Sequence, residues 1–144
     1  MSWRELTVVF AVHPRTHRRL EEFGLLAGLS GLPSIRLTEP MSYIEFMSLV
    51  MGCTIAITDS GGVQEETSVL GTPCLTYRTS TERPVTIELG TNELIGVDPQ
   101  ALREASERAL GDEVPAKPPE IPLWDGKAGP RAAEAIEGYL SQNR

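Results

Sequence analysis

The sequence is poor in residues that several large protein classes require. It has two cysteines and two histidines in 144 residues, and Cys53 and Cys74 lack the spacing of a zinc site. A disulfide framework is therefore excluded, and we expect two reduced thiols packed near strand ends. The 13 basic residues are outnumbered by 20 acidic residues, giving a net charge of -7. We expect no nucleic-acid partner, because phosphate backbones are bound by clustered Lys and Arg.

Long hydrophobic runs are also missing. No apolar run approaches the roughly 20 residues that span a bilayer. The first five residues (MSWRE) are not followed by the apolar core and small-residue cleavage site of a secretory signal. We therefore expect a cytoplasmic protein without a membrane partner. What is present, with 40% hydrophobic residues, is an ordinary globular composition that can form one domain with a core.

Short β-rich apolar runs alternate along the chain with longer segments of helical period. Strands are predicted at residues 7–12, 34–37, 54–58, 74–77 and 93–97. Helices are predicted at residues 15–29, 43–51, 63–70, 99–111 and 130–140. This alternation predicts an α/β fold in which a parallel sheet is covered by helices on both faces, with right-handed crossovers.

The composition changes near the carboxyl end. Residues 1–111 form the predicted sheet domain. Residues 112–129 contain four prolines and two glycines, which neither a helix nor a strand ladder accommodates, so a surface arm is predicted there. Residues 130–144 recover helical period and are predicted to be a carboxyl-terminal helix.

The most informative segment is the turn Ser60-Gly61-Gly62 between a predicted strand and a predicted helix. In an open parallel sheet, ligands bind beyond the carboxyl ends of the strands. Two glycines at a helix start remove Cβ atoms where a ligand approaches, and they leave N–H groups unpaired at the positive end of the helix dipole. This pattern predicts a phosphate or diphosphate site. The alternative is a tight strand-to-helix turn that Ser60 caps.

Charged residues accompany this turn. Glu65 or Glu66, with Glu66 the better candidate, is predicted to accept from ribose hydroxyls, and the alternative is stabilisation by the dipole of a first helical turn. Arg78 and Arg83 follow another strand end. They either offset phosphate charge or belong to a solvated loop with a local Glu82–Arg83 pair. Near the first strand, His13 either donates to a ligand or caps the next helix.

Several motifs, taken in chain order, resemble those of one protein family. They are HPRT from His13, TDSGGVQEE from Thr58, LGTP from Leu70, TERP from Thr81 and WDGKA from Trp124. Their combination resembles the non-hydrolysing UDP-N-acetylglucosamine 2-epimerases, of which this chain matches the carboxyl-terminal half. The resemblance implies a glycosyltransferase-B-type enzyme of two Rossmann-like halves, with residues 1–111 as the UDP-sugar-binding domain of the second half.

The resemblance also implies a reaction and a set of ligand contacts. Such enzymes eliminate UDP from UDP-N-acetylglucosamine and add it back with inverted configuration at C2, giving UDP-N-acetylmannosamine without a metal or a nicotinamide cofactor. By position, Ser60, Gly61 and Gly62 would hold the diphosphate. Glu66 would bind the ribose, and Arg83 would bind the phosphates.

Two further positions and the catalytic groups follow from the same resemblance. Phe46 would border the uracil, and His13 matches a histidine near a second, regulatory UDP-sugar in bacterial members. The carboxylates that transfer the C2 proton belong to the amino-terminal half, which we expect to be absent here, so we identify no catalytic residue and expect little turnover. Apolar surface exposed by that absence predicts a homo-oligomer or association with a separate amino-terminal half.

Other functions fit parts of the pattern. A stand-alone UDP-sugar-binding or regulatory module would keep the site without the chemistry. The donor-binding half of a split glycosyltransferase is a third candidate, but the TERP motif after DSGG argues against it, because that pairing is typical of the epimerases.

Overall fold

The computed structural model describes residues 6–111 and 117–142. Contacts define two compact units, with the boundary between Gly52 and Cys53. The described residues contain five strands and seven helices, and each of the five predicted strands is present to within three residues at either end. All strand pairs are parallel.

The first unit carries two parallel strands. Its elements are β1 (Val8–Ala11), α1 (Pro14–Glu22), α2 (Leu26–Ser30), β2 (Ile35–Thr38) and α3 (Tyr43–Gly52). β1 pairs with β2, and Val8 lies opposite Ile35. The single helix predicted over residues 15–29 is wrong, because the helical path breaks at Gly24. Its φ of +67° is a left-handed conformation that glycine adopts without steric strain.

The second unit carries three parallel strands in the order β3-β4-β5. Its elements are β3 (Ala56–Thr58), α4 (Gly61–Leu70), β4 (Cys74–Thr76), α5 (Pro84–Glu88), β5 (Asn92–Leu94), α6 (Pro99–Gly111) and α7 (Ala128–Gln142). The sequence pattern does not predict α5, because five residues are too few to show a helical period. Pro84 at its first position is nevertheless typical of a helix start.

The predicted α/β class with parallel strands is confirmed, and the strands are distributed over two sheets. Periodicity identifies which segments are extended, but the hydrogen bonds between backbones determine which strands share a sheet. The predicted boundaries of the sheet domain, arm and terminal helix stay predictions, and residues 112–116 of that arm lie outside the described residues. Within residues 6–111 and 117–142, every helix is too short or too polar to traverse a lipid bilayer.

Candidate functional site

The turn between β3 and α4 has an exposed serine at the helix start. Ser60 is the N-cap residue of α4 and has an extended backbone, with φ of -87° and ψ of 128°. Its own N–H donates to Thr58 Oγ1 at 3.0 Å. The Ser60 side chain forms no capping hydrogen bond, so the structure does not support the alternative in which this hydroxyl caps the helix. The hydroxyl is instead positioned at the surface.

The two glycines that follow are not required by the protein's own conformation. Neither Gly61 nor Gly62 has a positive φ. A Cβ on Gly61 would meet no atom within 4 Å, and a Cβ on Gly62 would meet only Ser60 Oγ at 3.9 Å. By contrast, a Cβ on Gly90 would collide with the backbone of Thr86. The space that Cβ atoms would occupy at the start of α4 is therefore open, and the first N–H groups of a helix have no intrahelical acceptor.

The two glutamates of α4 differ in their partners. The helix begins at Gly61, so Glu65 and Glu66 are its fifth and sixth residues and lie beyond the first turn where they were predicted. The dipole explanation is weakened, because its effect falls off within that turn. Glu65 Oε1 lies 2.6 Å from Arg83 Nε. Glu66 is half-buried, and its carboxylate forms no ion pair or hydrogen bond with any described residue, so this carboxylate is the one available to a ligand.

The two arginines that follow β4, Arg78 and Arg83, also have different partners. Arg78 forms a bidentate pair with Glu82, with nitrogen-to-oxygen distances of 2.9 and 3.1 Å. These hydrogen bonds hold the pKa of Glu82 below its ordinary value and raise the pKa of Arg78. The alternative in which Glu82 pairs with Arg83 is therefore wrong. Arg83 reaches only the Glu82 carbonyl, at 3.3 Å, and its guanidinium pairs with Glu65 on α4.

A buried polar network lies directly behind this turn. Gln64 is fully buried, and its side-chain nitrogen donates to the Ser60 carbonyl at 3.3 Å. Its side-chain oxygen accepts from Thr81 Oγ1 at 2.6 Å and from Asn92 Nδ2 at 3.2 Å. Asn92 Oδ1 in turn accepts from Thr76 Oγ1 at 2.6 Å. The residues that hold the turn in place are thus polar side chains in the core of the second unit.

Sequence reasoning missed the part that Gln64 and Asn92 play. Gln64 lies inside the DSGGVQEE motif, four residues after Ser60, which is the spacing of one helical turn. That spacing could have indicated a contact with the Ser60 carbonyl. Nothing in the sequence indicates that the side chain is buried, because glutamine is usually exposed.

The remaining predicted site residues belong to the first unit. His13 is the N-cap of α1, and its Nδ1 accepts from the Arg15 N–H at 3.2 Å, so the helix-capping interpretation is confirmed. Phe46 is half-buried on α3. Ser60, Gly61, Gly62, Glu66 and Arg83 belong to the second unit, where Arg83 pairs with Glu65 on α4, whereas His13 and Phe46 belong to the first unit.

These features define a Rossmann-like α/β protein with an open strand-to-helix turn. The family model described as UDP-N-acetylglucosamine 2-epimerase matches residues 2–137. The chain is 42% identical over 129 residues to the UDP-N-acetylglucosamine 2-epimerase of Methanocaldococcus jannaschii, covering 90% of this chain and 34% of the relative. The chain is 34% identical over 137 residues to the UDP-N-acetylglucosamine 2-epimerase of Escherichia coli, covering 93% of this chain and 36% of the relative. The chain belongs to the UDP-N-acetylglucosamine 2-epimerase family, as the motifs predicted.

Solved structures of the family show the same fold. The M. jannaschii enzyme in complex with UDP-GlcNAc and UDP matches with a TM-score of 0.81 and 39% identity, covering 91% of this chain and 35% of that one. The Neisseria meningitidis enzyme bound to UDP-GlcNAc matches with a TM-score of 0.76 and 28% identity, covering 94% of this chain and 37% of that one. The predicted glycosyltransferase-B-type fold is confirmed, and the chain spans about a third of the length of the relatives it matches.

Proposed function

We propose that this chain is the nucleotide-binding part of a UDP-N-acetylglucosamine 2-epimerase, which interconverts UDP-GlcNAc and UDP-ManNAc by elimination and re-addition of UDP. The observation that carries the proposal is the pair Gly61 and Gly62, which neither backbone conformation nor internal packing requires. Glycine at such a position leaves room for a ligand against the backbone. Similar solved structures support the ligand class, since they are enzymes in complex with UDP-GlcNAc and UDP, or with UDP-GlcNAc alone.

The second unit supplies the anion contacts. We assign the diphosphate to the amides of Gly61 and Gly62 at the positive end of α4, with the Ser60 hydroxyl as a further donor. Arg83 can keep its ion pair with Glu65 and still offer Nη groups to a phosphate, because a guanidinium has five N–H donors. Glu66, which has no partner among the described residues, accepts from the ribose hydroxyls.

These contacts would assist only one part of the reaction, the departure of UDP. Amides and an arginine at the diphosphate stabilise the charge that develops on departing UDP, and such preorganised electrostatics are a large part of catalysis. Proton transfer at C2 needs a positioned acid and base, and we assign that task to the amino-terminal part of the whole enzyme. The roles of Phe46 at the uracil and of His13 at a second UDP-sugar remain predictions from the family.

The first experiment is titration calorimetry of the full chain with UDP and with UDP-GlcNAc, beside an assay for UDP-ManNAc formation. We expect UDP binding with little or no turnover. A folded sample that releases no heat with millimolar UDP would contradict the proposed site. Rapid epimerisation by this chain alone would contradict the division of catalytic work.

The second experiment compares two arginine variants. Arg83→Ala should weaken UDP binding by about 1.5 to 3 kcal/mol, the scale of a hydrogen bond to a charged group. Arg78→Ala is the matched control, because its guanidinium is engaged by Glu82. Equal losses for the two variants would show that Arg83 acts only through the general charge of the loop.

A further inference from the structure

The orientation of the Gly61 amide depends on the carbonyl group of the preceding residue. The Ser60 carbonyl and the Gly61 N–H belong to one planar trans peptide, so they point in opposite directions. The Gln64 side chain donates to that carbonyl at 3.3 Å from inside the unit, and the Gln64 backbone N–H lies 3.4 Å from it. Anchoring the carbonyl on the inner side directs the Gly61 N–H outward, where an anion can accept from it.

The same glutamine side chain is connected to Arg83. Thr81 Oγ1 donates to Gln64 Oε1 at 2.6 Å and accepts from the Arg83 backbone N–H at 3.0 Å. One hydroxyl can do both, because it has one proton and two lone pairs. Two side chains thus connect the peptide before Gly61 to the backbone of Arg83.

The network around this connection restrains it. Asn92 Nδ2 donates both to Gln64 Oε1, at 3.2 Å, and to Thr86 Oγ1, at 3.1 Å. Thr86 Oγ1 donates in turn to the Arg83 carbonyl at 2.7 Å. Both backbone groups of Arg83 are therefore bound to the same buried network. A polar network whose members are satisfied holds one geometry, since any alternative leaves a buried group unpaired.

We propose that Thr81 and Gln64 are positioning residues that hold Arg83 at a fixed distance from the Gly61 amide, so that the two groups engage the two phosphates of one diphosphate. This inference rests on the proposed function, UDP binding at the turn after β3. Neither side chain is assigned a contact with the ligand, and both act through the groups that they orient.

The test measures UDP affinity by calorimetry on the full chain with substitutions at Thr81. Thr81→Val keeps the shape and removes the hydroxyl, and it should weaken UDP binding about fivefold, within the range of one lost hydrogen bond. Thr81→Ser keeps the hydroxyl and should restore the affinity to within about twofold. Thr91→Val is the matched control, because the buried Thr91 hydroxyl has no hydrogen-bond partner among the described residues.

A double-mutant cycle separates positioning from general loosening of the unit. In an Arg83→Ala background, Thr81→Val should weaken UDP binding no further, because the group that it positions has been removed. An undiminished fivefold loss in that background, or full affinity of Thr81→Val alone, would overturn the inference. Either result leaves the proposed function intact, whereas a wild-type chain that binds no UDP overturns both.

Hydrogen exchange of the Arg83 amide provides a readout that needs no ligand. The amide should be protected in the wild type and in Thr81→Ser, and it should exchange faster in Thr81→Val while the amides of β4 remain unchanged. Equal exchange in all three proteins would show that the Thr81 hydroxyl does not hold Arg83. Faster exchange throughout the second unit would show a purely structural role, which also overturns the inference.

Discussion

β1 and β4 are short parallel strands of similar apolar character in surroundings that differ sharply. β4 pairs on both sides, and its residues Cys74, Leu75 and Thr76 are at most 2% exposed. β1 pairs only with β2 among the described strands, and Val8 and Phe10 are 51% and 37% exposed. Apolar composition makes both segments extended, but the number of paired neighbours and covering side chains determines which strand is buried.

The two units also differ in the buried polar side chains that they contain and in the hydrogen bonds of those side chains. The largest fully buried side chains all belong to the second unit and are mostly polar: Gln64, Thr67, Thr76, Thr86, Cys74 and Ser68. In the first unit, the buried hydroxyl of Thr38 has no hydrogen-bond partner among the described residues. Stability in the second unit should therefore depend on specific hydrogen bonds as well as on apolar contacts.

The largest expected effect compares the two strands directly. Leu75→Ala should lower the free energy of unfolding of the second unit by about 2 to 5 kcal/mol, because a cavity remains where a buried side chain was removed. Val9→Ala should lower stability by less than about 1 kcal/mol, since its side chain is already one-third exposed. Urea unfolding followed by circular dichroism, with exchange of the β4 amides, checks both. Equal losses would mean that the two strands are equally buried in solution.

A second comparison is between glycines that internal packing requires and glycines that it does not. Gly90→Ala should destabilise the second unit by about 2 to 3 kcal/mol, because the new Cβ would press on the backbone of Thr86. Gly61→Ala should leave the melting temperature unchanged or slightly raised, since alanine favours the helix and meets no atom. Gly61→Ala should nevertheless weaken UDP binding. Unchanged UDP affinity in a stable Gly61→Ala protein would contradict the anion site.

The third comparison replaces a buried threonine by valine in each unit and compares the loss of stability. Thr76→Val should lower stability by about 1 to 3 kcal/mol, because Asn92 Oδ1 loses its buried donor. Thr38→Val should be neutral or stabilising, since it removes a buried hydroxyl that has no partner among the described residues. Thermal unfolding of the two variants gives the answer, and a larger loss for Thr38→Val would reverse the proposed difference between the units.

The smallest expected effect concerns pH. The pKa of Glu82 is lowered mainly by hydrogen bonds from Arg78, and that of Glu45 in the first unit mainly by hydrogen bonds from Ser42. Because both folded pKa values lie below the unfolded ones, each group stabilises the protein above the unfolded pKa, and this stabilisation is lost as the pH falls through the folded value. Arg78→Ala should raise the pKa of Glu82 and leave Glu45 unchanged in a carboxyl NMR titration.

Much of the fold and part of the site could be predicted. The strands were found because their apolar runs and flanking turns are local signals, and the helix start at Asp98 and Pro99 follows from capping chemistry. The break at Gly24 was missed, since apolar residues continue on both sides of it. The alternative that paired Glu82 with Arg83 is wrong, because it relied on proximity in the sequence. Glu82 instead accepts two hydrogen bonds from Arg78, which lies four residues before it.

The sequence by itself determined the parallel α/β class and the open turn at Ser60, Gly61 and Gly62, because periodicity and glycine act over a few residues. Only the tertiary structure decided that Gln64 is buried and that Arg83 is the arginine held against α4. Those outcomes depend on contacts between residues 17 to 28 positions apart in the chain, such as Gln64 with Thr81 and with Asn92. No local pattern encodes such contacts, because they form only when α4, β5 and the loop after β4 pack together.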